Sequence, residues 1–386
     1  LNKIQSQEDY VIGQVDFTGK FKTGNINHTL ITGVDADRYF TTTYAFNNPL
    51  IYDKINILDP NKYTARTDIP AASKLRRVET PINRAGIFVQ DLVSLSPKFN
   101  VLMGIRWSQQ TSEPATTTYL TKDSIVKGIA KSDNAFSPRL GLVYKPSKTM
   151  SFFASYSNSF SVNNGTDVYG AALSPSIIDQ YEIGMKNDFL KGKLSANLTF
   201  YKIVNNNLAQ TAQFAADGIT PNNNTALKEL VGQTTSDGIE LDFSYYPVKG
   251  LNMMAGYSYN NMRYTNIETA KGNYVEGERL VNTPAHTANT SAFYTFQKGK
   301  VKGLKIGASV FYVGDRFGGW NNTQQQTQNY SRLIPVEGFT TVDISAGYSF
   351  NKISVLAKVS NLFNTYNYYV HENYSINPIA PTQFIG

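Results

Sequence analysis

Period-two alternation of apolar and polar residues, over about ten positions at a time and many times over, constrains this chain more than any other feature. Val342, Ile344, Ala346, Tyr348 and Phe350 alternate with Thr341, Asp343, Ser345, Gly347 and Ser349. Leu304, Ile306, Ala308, Val310 and Tyr312 alternate with Lys305, Gly307, Ser309 and Phe311. Ile239, Leu241, Phe243 and Tyr245, and again Leu194, Ala196, Leu198 and Phe200, follow the same rule. Each segment is a strand with one apolar and one distinctly polar face. The pattern predicts strands over 9–23, 26–41, 84–95, 98–110, 135–146, 149–160, 179–190 and 193–205. It continues over 232–246, 250–264, 284–297, 303–314, 338–350 and 353–362, with a fifteenth starting near Gln383.

The connections carry the next constraint. Thr23-Gly24-Asn25, Ser96-Pro97-Lys98, Pro146-Ser147-Lys148, Leu190-Lys191-Gly192, Pro247-Val248-Lys249 and Phe350-Asn351-Lys352 are tight turns. Between them run polar loops at 42–83, 111–134, 161–178, 206–231, 265–283, 315–337 and 363–382. A soluble sandwich has no reason to put its long loops on every second connection. An outer-membrane barrel does, because short periplasmic turns and long extracellular loops sit at opposite ends. Tyr and Phe gather near strand ends, as at Tyr156, Phe160, Tyr257, Tyr259, Tyr294 and Phe296, where interfacial girdles place them. With 25 Tyr, 22 Phe and 28 Gly, the composition also leans to β. No apolar run approaches the length of a transmembrane helix. The expected fold is therefore all-β, an antiparallel transmembrane barrel. With no initiator Met and no apolar leader, the chain is expected to be an internal piece of a longer protein.

Several chemistries are excluded. Cysteine is absent, and His28, His286 and His371 are too scattered to build a metal site. Glu240 and Asp242 share a strand face, but the polar face of a large barrel is expected to carry such charges without catalysis. Gly314-Asp315-Arg316-Phe317-Gly318-Gly319 is Gly-rich, yet no Lys-Ser/Thr follows to make a phosphate cradle. The +7 net charge is diffuse, which argues against a nucleic-acid platform. No catalytic residue, resident metal or cofactor is expected, and the chain is not read as an enzyme.

A resemblance adds to this reading. It lies in Ala85-Gly86-Ile87-Phe88-Val89-Gln90-Asp91, Ser137-Pro138-Arg139-Leu140-Gly141-Leu142-Val143-Tyr144 and Phe153-Ala154-Ser155-Tyr156-Ser157-Asn158-Ser159-Phe160. Further segments are Gln180-Tyr181-Glu182-Ile183-Gly184, Asp237-Gly238-Ile239-Glu240-Leu241 and Asn282-Thr283-Pro284-Ala285-His286. The last are Val342-Asp343-Ile344-Ser345-Ala346-Gly347-Tyr348 and Val359-Ser360-Asn361-Leu362-Phe363-Asn364. In order and spacing they resemble the C-terminal part of a TonB-dependent outer-membrane receptor, most like the ferric-siderophore (hydroxamate or ferrichrome-type) group.

The resemblance implies that residues 1–386 hold about 14–15 strands of a 22-stranded barrel. The plug domain, the early strands and the end of the last strand would lie outside the chain. It further implies uptake of ferric siderophores across the bacterial outer membrane, with iron present only as part of the ligand. Energy would come from the TonB-ExbB-ExbD complex, engaged through the missing N-terminal part. The alternatives are a passive porin-like channel and an importer of another large nutrient such as cobalamin or a carbohydrate.

A chelate that already satisfies its iron needs π faces, hydroxyl donors and some cationic help. Loop aromatics supply these: Trp320 and Tyr330 in one loop, and Tyr368, Tyr369 and Tyr374 in the last. By the resemblance, Tyr374 follows Asn361-Leu362-Phe363 as the ligand-contacting aromatic, and Tyr44 and Phe46 form a second aromatic pair. The bland reading of each is packing of loop against loop. Lys74, Arg76, Arg77 and Arg279 are rim cations for lipopolysaccharide phosphates or an anionic chelate, or else solvated loop residues.

Overall fold

The computed structural model describes residues 3–47, 56, 58–59, 62–64, 68, 70–212, 214–222, 224, 226–230, 232–267, 275–320, 333–350, 352–371 and 375–386. The first long strands are β1 (Ile4–Thr23), β2 (Ile26–Phe46), β3 (Lys74–Ser94) and β4 (Phe99–Ser112). A short pair, β5 (Thr116–Tyr119) and β6 (Ser124–Lys127), precedes β7 (Lys131–Tyr144) and β8 (Met150–Ser161). Then come β9 (Ser176–Phe189), β10 (Leu194–Asn206) and a second short pair, β11 (Ala209–Thr211) and β12 (Lys228–Leu230). The long strands resume with β13 (Gln233–Tyr245), β14 (Leu251–Thr265), β15 (His286–Thr295) and β16 (Leu304–Val313). A third pair, β17 (Arg316–Trp320) and β18 (Leu333–Val336), leads to β19 (Phe339–Phe350) and β20 (Ile353–Ser360). A fourth pair, β21 (Tyr368–His371) and β22 (Ser375–Pro378), leads to β23 (Gln383–Ile385).

Contacts divide the chain into two units. The first comprises Leu1–Gly19, Leu30–Gln90 and Gly104–Ser137. Here β1 pairs with β2, β2 with β3, and β3 with the β5–β6 hairpin through Arg76↔Tyr119 and Val78↔Thr117. Every residue of β1 is exposed, as an edge strand would be. Ion pairs tie the strands side by side. Arg106 forks onto Asp35 at 2.7 and 2.8 Å, and Arg84 Nε lies 2.9 Å from Asp37 Oδ1.

The second unit comprises Lys20–Thr29, Asp91–Met103 and Pro138–Gly386. Its strands form an antiparallel meander, β7-β8-β9-β10-β13-β14-β15-β16-β19-β20-β23, each paired with the next. Directly opposed residues share a face, so the register sorts the alternation into continuous rows. One row reads Phe152, Met185, Leu198, Leu241, Tyr257, Ala288 and Tyr312. Val310↔Val342 and Ala308↔Ile344 continue the same face, so Leu241, Val310 and Ile344 all point one way. That face is apolar yet exposed: Ile183 is 59% and Val355 64% accessible. The opposite face carries Glu182, Thr199, Glu240, Asp242, Asn289 and the Asp343–Lys358 pair at 2.8 Å. An apolar exterior over a polar reverse face is the inverse of a soluble sheet, and suits lipid on one side and water on the other. Among the described residues no helix is long and apolar enough to cross a membrane; the strands do that work.

Candidate ligand-binding loops

The last loop hangs on one asparagine. Asn361 sits in the left-handed region at φ 49°, which Asn tolerates better than most side chains, and is 5% accessible. Its backbone N–H donates to Asp343 Oδ1 at 2.9 Å. Nδ2 donates to the carbonyls of Thr365 and Ala380, both at 2.9 Å, while Oδ1 accepts the Thr365 N–H at 2.8 Å. The Thr382 hydroxyl closes the circuit on the Asn361 carbonyl at 2.7 Å. An amide with two donors and an acceptor is thus fully used, and it clamps the start of the loop to its end.

From there the hairpin β21–β22 is fixed by a residue of another loop. Arg316, at the head of β17, is only 4% accessible. Its guanidinium donates to Asn367 Oδ1 at 3.1 Å, to the Glu337 carbonyl at 3.2 Å and to the Tyr368 carbonyl. Phe339 lies under it, 5.5 Å from ring centroid to guanidinium carbon. Asn367 reinforces the contact, donating to the Glu337 carbonyl at 3.1 Å and accepting the Tyr368 N–H at 2.7 Å. Gly318 lets the hairpins meet: a Cβ there would stand 3.1 Å from Val336 and 3.2 Å from Val370 side-chain atoms. A third loop joins through the Asn282 N–H, 2.6 Å from the Phe317 carbonyl. Burial holds the Arg316 guanidinium below its ordinary value against the opposing pull of Tyr369 and Asp315, so its charge rests mainly on neutral acceptors.

This frame presents aromatic faces. Tyr366 and Tyr368 meet edge to face at 5.1 Å, and Tyr369 meets Phe339 the same way at 6.5 Å. Tyr366, Tyr368 and Tyr369 remain exposed, so rings and hydroxyls stay open to a ligand while the backbone beneath is fixed. The hydrogen bond with Tyr366, and then partial desolvation, raise the Tyr368 hydroxyl above the usual tyrosine value, keeping it a neutral donor.

In the first unit, Tyr44 and Phe46 fall at the end of β2 rather than in the loop the sequence suggested. Lys74 Nζ stands 3.8 Å from the Tyr44 ring centroid and Lys3 Nζ 4.6 Å from that of Phe46. Phe46 is buried and Tyr44 half-buried, so each ring is already capped by a cation. Arg76 and Arg77 lie in β3 opposite β5, and Arg77 pairs with Glu79 at 3.2 Å, so they are strand residues and not the solvated loop that the sequence suggested. Tyr330 and Tyr374 lie outside the described residues, and Trp320 is placed only as the last residue of β17. The structure brings Tyr368 and Tyr369 together on one hairpin and Tyr44 and Phe46 on one strand end. Of the histidines, His28 bonds Asp91 at 2.6 Å and His286 bonds the Tyr257 hydroxyl at 2.8 Å.

Sequence reasoning missed Arg316, Asn367 and Lys3, and named Lys74 only as a rim cation and not as the cap of Tyr44. Arg316 was legible only as part of a Gly-rich stretch, because its partners are backbone carbonyls 21 and 52 residues away.

Comparison with known proteins agrees with this architecture. The family model for the TonB dependent receptor-like β-barrel matches residues 2–362. The metal-pseudopaline receptor CntO of Pseudomonas aeruginosa is 28% identical over 376 residues, covering 96% of this chain and 49% of the relative. The ferrichrome outer membrane transporter/phage receptor of Escherichia coli K12 is 27% identical over 356 residues, covering 89% of this chain and 43% of the relative. The chain therefore spans about half the length of these relatives. The ferric preacinetobactin receptor BauA of Acinetobacter baumannii superposes with a TM-score of 0.77 at 20% identity, covering 99% of this chain and 54% of that one. The pyoverdine receptor FpvA of P. aeruginosa, bound to pyoverdine, superposes with a TM-score of 0.75 at 21% identity, covering 99% and 53%. At that identity the structures speak for the fold alone. With apolar lipid-facing rows, short turns against long loops, and a family match along nearly its whole length, the chain belongs to the outer-membrane family of TonB-dependent receptor-like β-barrels.

Proposed function

We propose that the full-length protein imports a metal chelate across the outer membrane, drawing energy from TonB and its partners ExbB and ExbD. The chelate we favour is a ferric siderophore of the hydroxamate type. The observation that carries the reading is the exposed Tyr366-Tyr368-Tyr369 surface on a hairpin fixed from beneath by Arg316 and Asn361. Rigid aromatic faces with hydroxyl donors suit a bulky chelate whose metal is already coordinated, and a prebuilt frame lowers the ordering cost of binding. The capped rings of Tyr44 and Phe46 add cationic and aromatic character of the same kind.

A second reading has its own support. The receptor for metal-pseudopaline matches over 96% of this chain, so a metal-pseudopaline complex stands beside the hydroxamates as cargo. The test is uptake of radiolabelled ferrichrome and of labelled metal-pseudopaline by cells whose own receptors are deleted and which express the full-length protein. Saturable ferrichrome uptake that vanishes without TonB supports the first reading. Uptake of pseudopaline complexes alone replaces it with the second, and uptake indifferent to TonB would leave a passive channel.

A further inference from the structure

Two long loops of the second unit interlock, the connection from β8 to β9 and that from β10 to β13. Asn163 Nδ2 donates to the Ser174 carbonyl at 2.8 Å and to the Asn207 carbonyl at 3.1 Å. The Ser176 hydroxyl lies 3.2 Å from Asn163 Oδ1 and 3.0 Å from the Asn207 carbonyl, and Asn207 Nδ2 donates to the Pro175 carbonyl at 2.9 Å. Three residues on, Thr166 bridges to Ala172 and to Leu227, and its carbonyl accepts the Lys228 N–H at 2.8 Å. Asn164-Gly165 lies between these two anchors, in irregular backbone.

No other Asn-Gly step occurs in the sequence. In such a step the glycine nitrogen reaches the asparagine side-chain carbon without a Cβ in its way. The glycine has a structural reason to be there: its φ is +94°, and a Cβ would stand 2.6 Å from the Ala226 carbonyl oxygen. The asparagine has none. It is exposed, and among the described residues its side chain makes no hydrogen bond. The Gly165 N–H also donates to no acceptor among the described residues. Nucleophile and electrophile are therefore adjacent, unengaged and open to water.

Two Asp-Gly steps are prone to the same chemistry, and the fold closes both. Gly218 donates its N–H to the Ala215 carbonyl at 2.9 Å, while the Asp217 carboxylate is turned onto the N–H groups of Ile219 and Thr220 at 3.0 and 2.8 Å. Asp237-Gly238 lies inside β13, between β10 and β14, where its backbone belongs to the ladder. The Tyr201 ring also fills the space that a Cβ would take at Gly238. Asn163 is followed by Asn164 and not by glycine, and it spends its amide on the knot between the loops. Of the steps that the sequence offers, the structure leaves Asn164-Gly165 open.

We propose that Asn164 is a site of spontaneous deamidation, and that its conversion loosens the joint between the two loops. The Gly165 nitrogen gives its proton to solvent base and bonds to Asn164 Cγ. The Cγ–Nδ2 bond then breaks, and ammonia leaves after taking a proton from water. The product is a five-membered succinimide, in which the Gly165 nitrogen is bonded to both Cγ and the backbone carbonyl carbon of residue 164. Water cleaves either bond. Cleavage at Cγ leaves Asp, and cleavage at the backbone carbon leaves isoAsp, with the chain running through Cβ and Cγ. The net exchange is one water for one ammonia, with no oxidant or reductant. Both products put a carboxylate where the amide was, and isoAsp adds one carbon to the backbone between the Asn163 knot and the Thr166 bridge. The Thr166–Lys228 contact is the one that this extra length displaces.

The test incubates the full-length receptor, purified from outer membranes in mild detergent, in warm buffer of mildly alkaline pH. Deamidated peptides are read by mass spectrometry, with electron-transfer fragmentation to tell isoAsp from Asp. Methyl transfer by a protein isoaspartate methyltransferase reports isoAsp a second way. Conversion at Asn164 is expected to run at least tenfold faster than at any other asparagine, with Asp217 and Asp237 unchanged. In urea, Asp217 and Asp237 should gain isoAsp as well. N164Q disfavours the five-membered ring and should abolish methyl uptake by the folded receptor; the side chain has no partner to lose, so the fold stands. Hydrogen exchange at Thr166 and Lys228 should rise as the wild type ages and stay level in N164Q. An intact Asn164 in the aged, folded receptor overturns the proposal, as does methyl uptake that persists in N164Q. Conversion of Asp217 or Asp237 in the folded receptor at the rate of Asn164 overturns it too, and unaltered exchange in converted receptor overturns the loosening. Chelate binding is no part of the readout, so failure of the import proposal leaves this one untouched.

Discussion

Replacing Arg316 with Ala should detach the β21–β22 hairpin from its support without unfolding the barrel. The side chain is 4% accessible and serves the Tyr368 carbonyl, Asn367 Oδ1 and the Glu337 carbonyl while lying over Phe339. A hydrogen bond from a charged donor contributes about 1.5–3 kcal/mol, and a desolvated cation–π contact about 2 kcal/mol. Against this stands the cost of burying a guanidinium without a carboxylate partner, several kcal/mol when the site is dry. The net loss on truncation is then about 2–4 kcal/mol, since Ala also leaves polar acceptors unpaired. At about 1.4 kcal/mol per factor of ten, local opening of the hairpin becomes about 30- to 1000-fold more frequent. Hydrogen exchange by mass spectrometry on the full-length receptor reads this directly. Peptides over 366–371 and 375–380 should lose protection, whereas β13 and β14, far along the meander, should not change. Arg316→Lys should fall between, because an ammonium keeps the charge but cannot reach three acceptors as a fork does. Unchanged protection in the hairpin would refute the clasp. Equal loss across β13 and β14 would mean that Arg316 supports the barrel and not the loop.

Three further outcomes are expected. Asn361→Ala removes two donors and an acceptor from a buried site, so thermal unfolding of the last loop, followed by proteolysis near Tyr366, should begin at lower temperature by the equivalent of about 2–3 kcal/mol. Joint replacement of the exposed Tyr366, Tyr368 and Tyr369 with Ala should weaken ferric-siderophore binding to cells by about a hundredfold, at roughly 1 kcal/mol per aromatic contact. Wild-type affinity in that triple variant would turn attention to Trp320 and Tyr330. Asp217 accepts the Thr220 hydroxyl and the N–H groups of Ile219 and Thr220, which hold its carboxyl below the usual carboxylate range. A depressed folded value means the turn is fully supported above the unfolded value and loses support as pH falls through the folded one. Amide protection at Ile219 and Thr220 should therefore be level from neutral pH down to about 4 and decline below it, a dependence that Asp217→Asn abolishes.

The long strands were legible because each reports its two faces independently of its neighbours. On the turn side the expected ends fall within about two residues of those found for most strands, as with 193–205 against Leu194–Asn206. On the loop side the early strands β1, β2, β3 and β7 run farther than the pattern suggested, whereas β15 and β20 stop two residues short. β3 starts at Lys74 rather than 84, because Lys74-Leu75-Arg76-Arg77 and Pro81 break the alternation and read as loop. In the structure that stretch is held by β5, a partner that no periodicity announces. The short pairs β11–β12, β17–β18 and β21–β22 escaped for the same reason: three to five residues cannot display a period. The aromatic content of the last loop was readable, but its support was not. Arg316 stood in plain view in a segment weighed only as a phosphate cradle. What it does depends on carbonyl groups, which every residue has and no sequence marks.

That dependence on backbone acceptors bears on how such a receptor can change its cargo. Asn361 and Arg316 grip the last loop mainly through the carbonyls of Thr365, Ala380 and Tyr368, with side chains entering from Asn367, Asp343, Thr382 and Phe339. Tyr366, Tyr368 and Tyr369 point their rings outward and take little part in the grip beyond edge contacts. Substitution of those rings would therefore change the aromatic surface that the proposed function assigns to recognition while the frame keeps its bonds. The barrel wall separates its roles in a similar way, since period-two alternation gives lipid one set of side chains and the lumen the other. Two receptors that carry ferric preacinetobactin and pyoverdine in their names share the fold with this chain at 20–21% identity and TM-scores of 0.75–0.77. A frame built from backbone bonds and alternation tolerates that much sequence change, because most of what changes is not what holds it together.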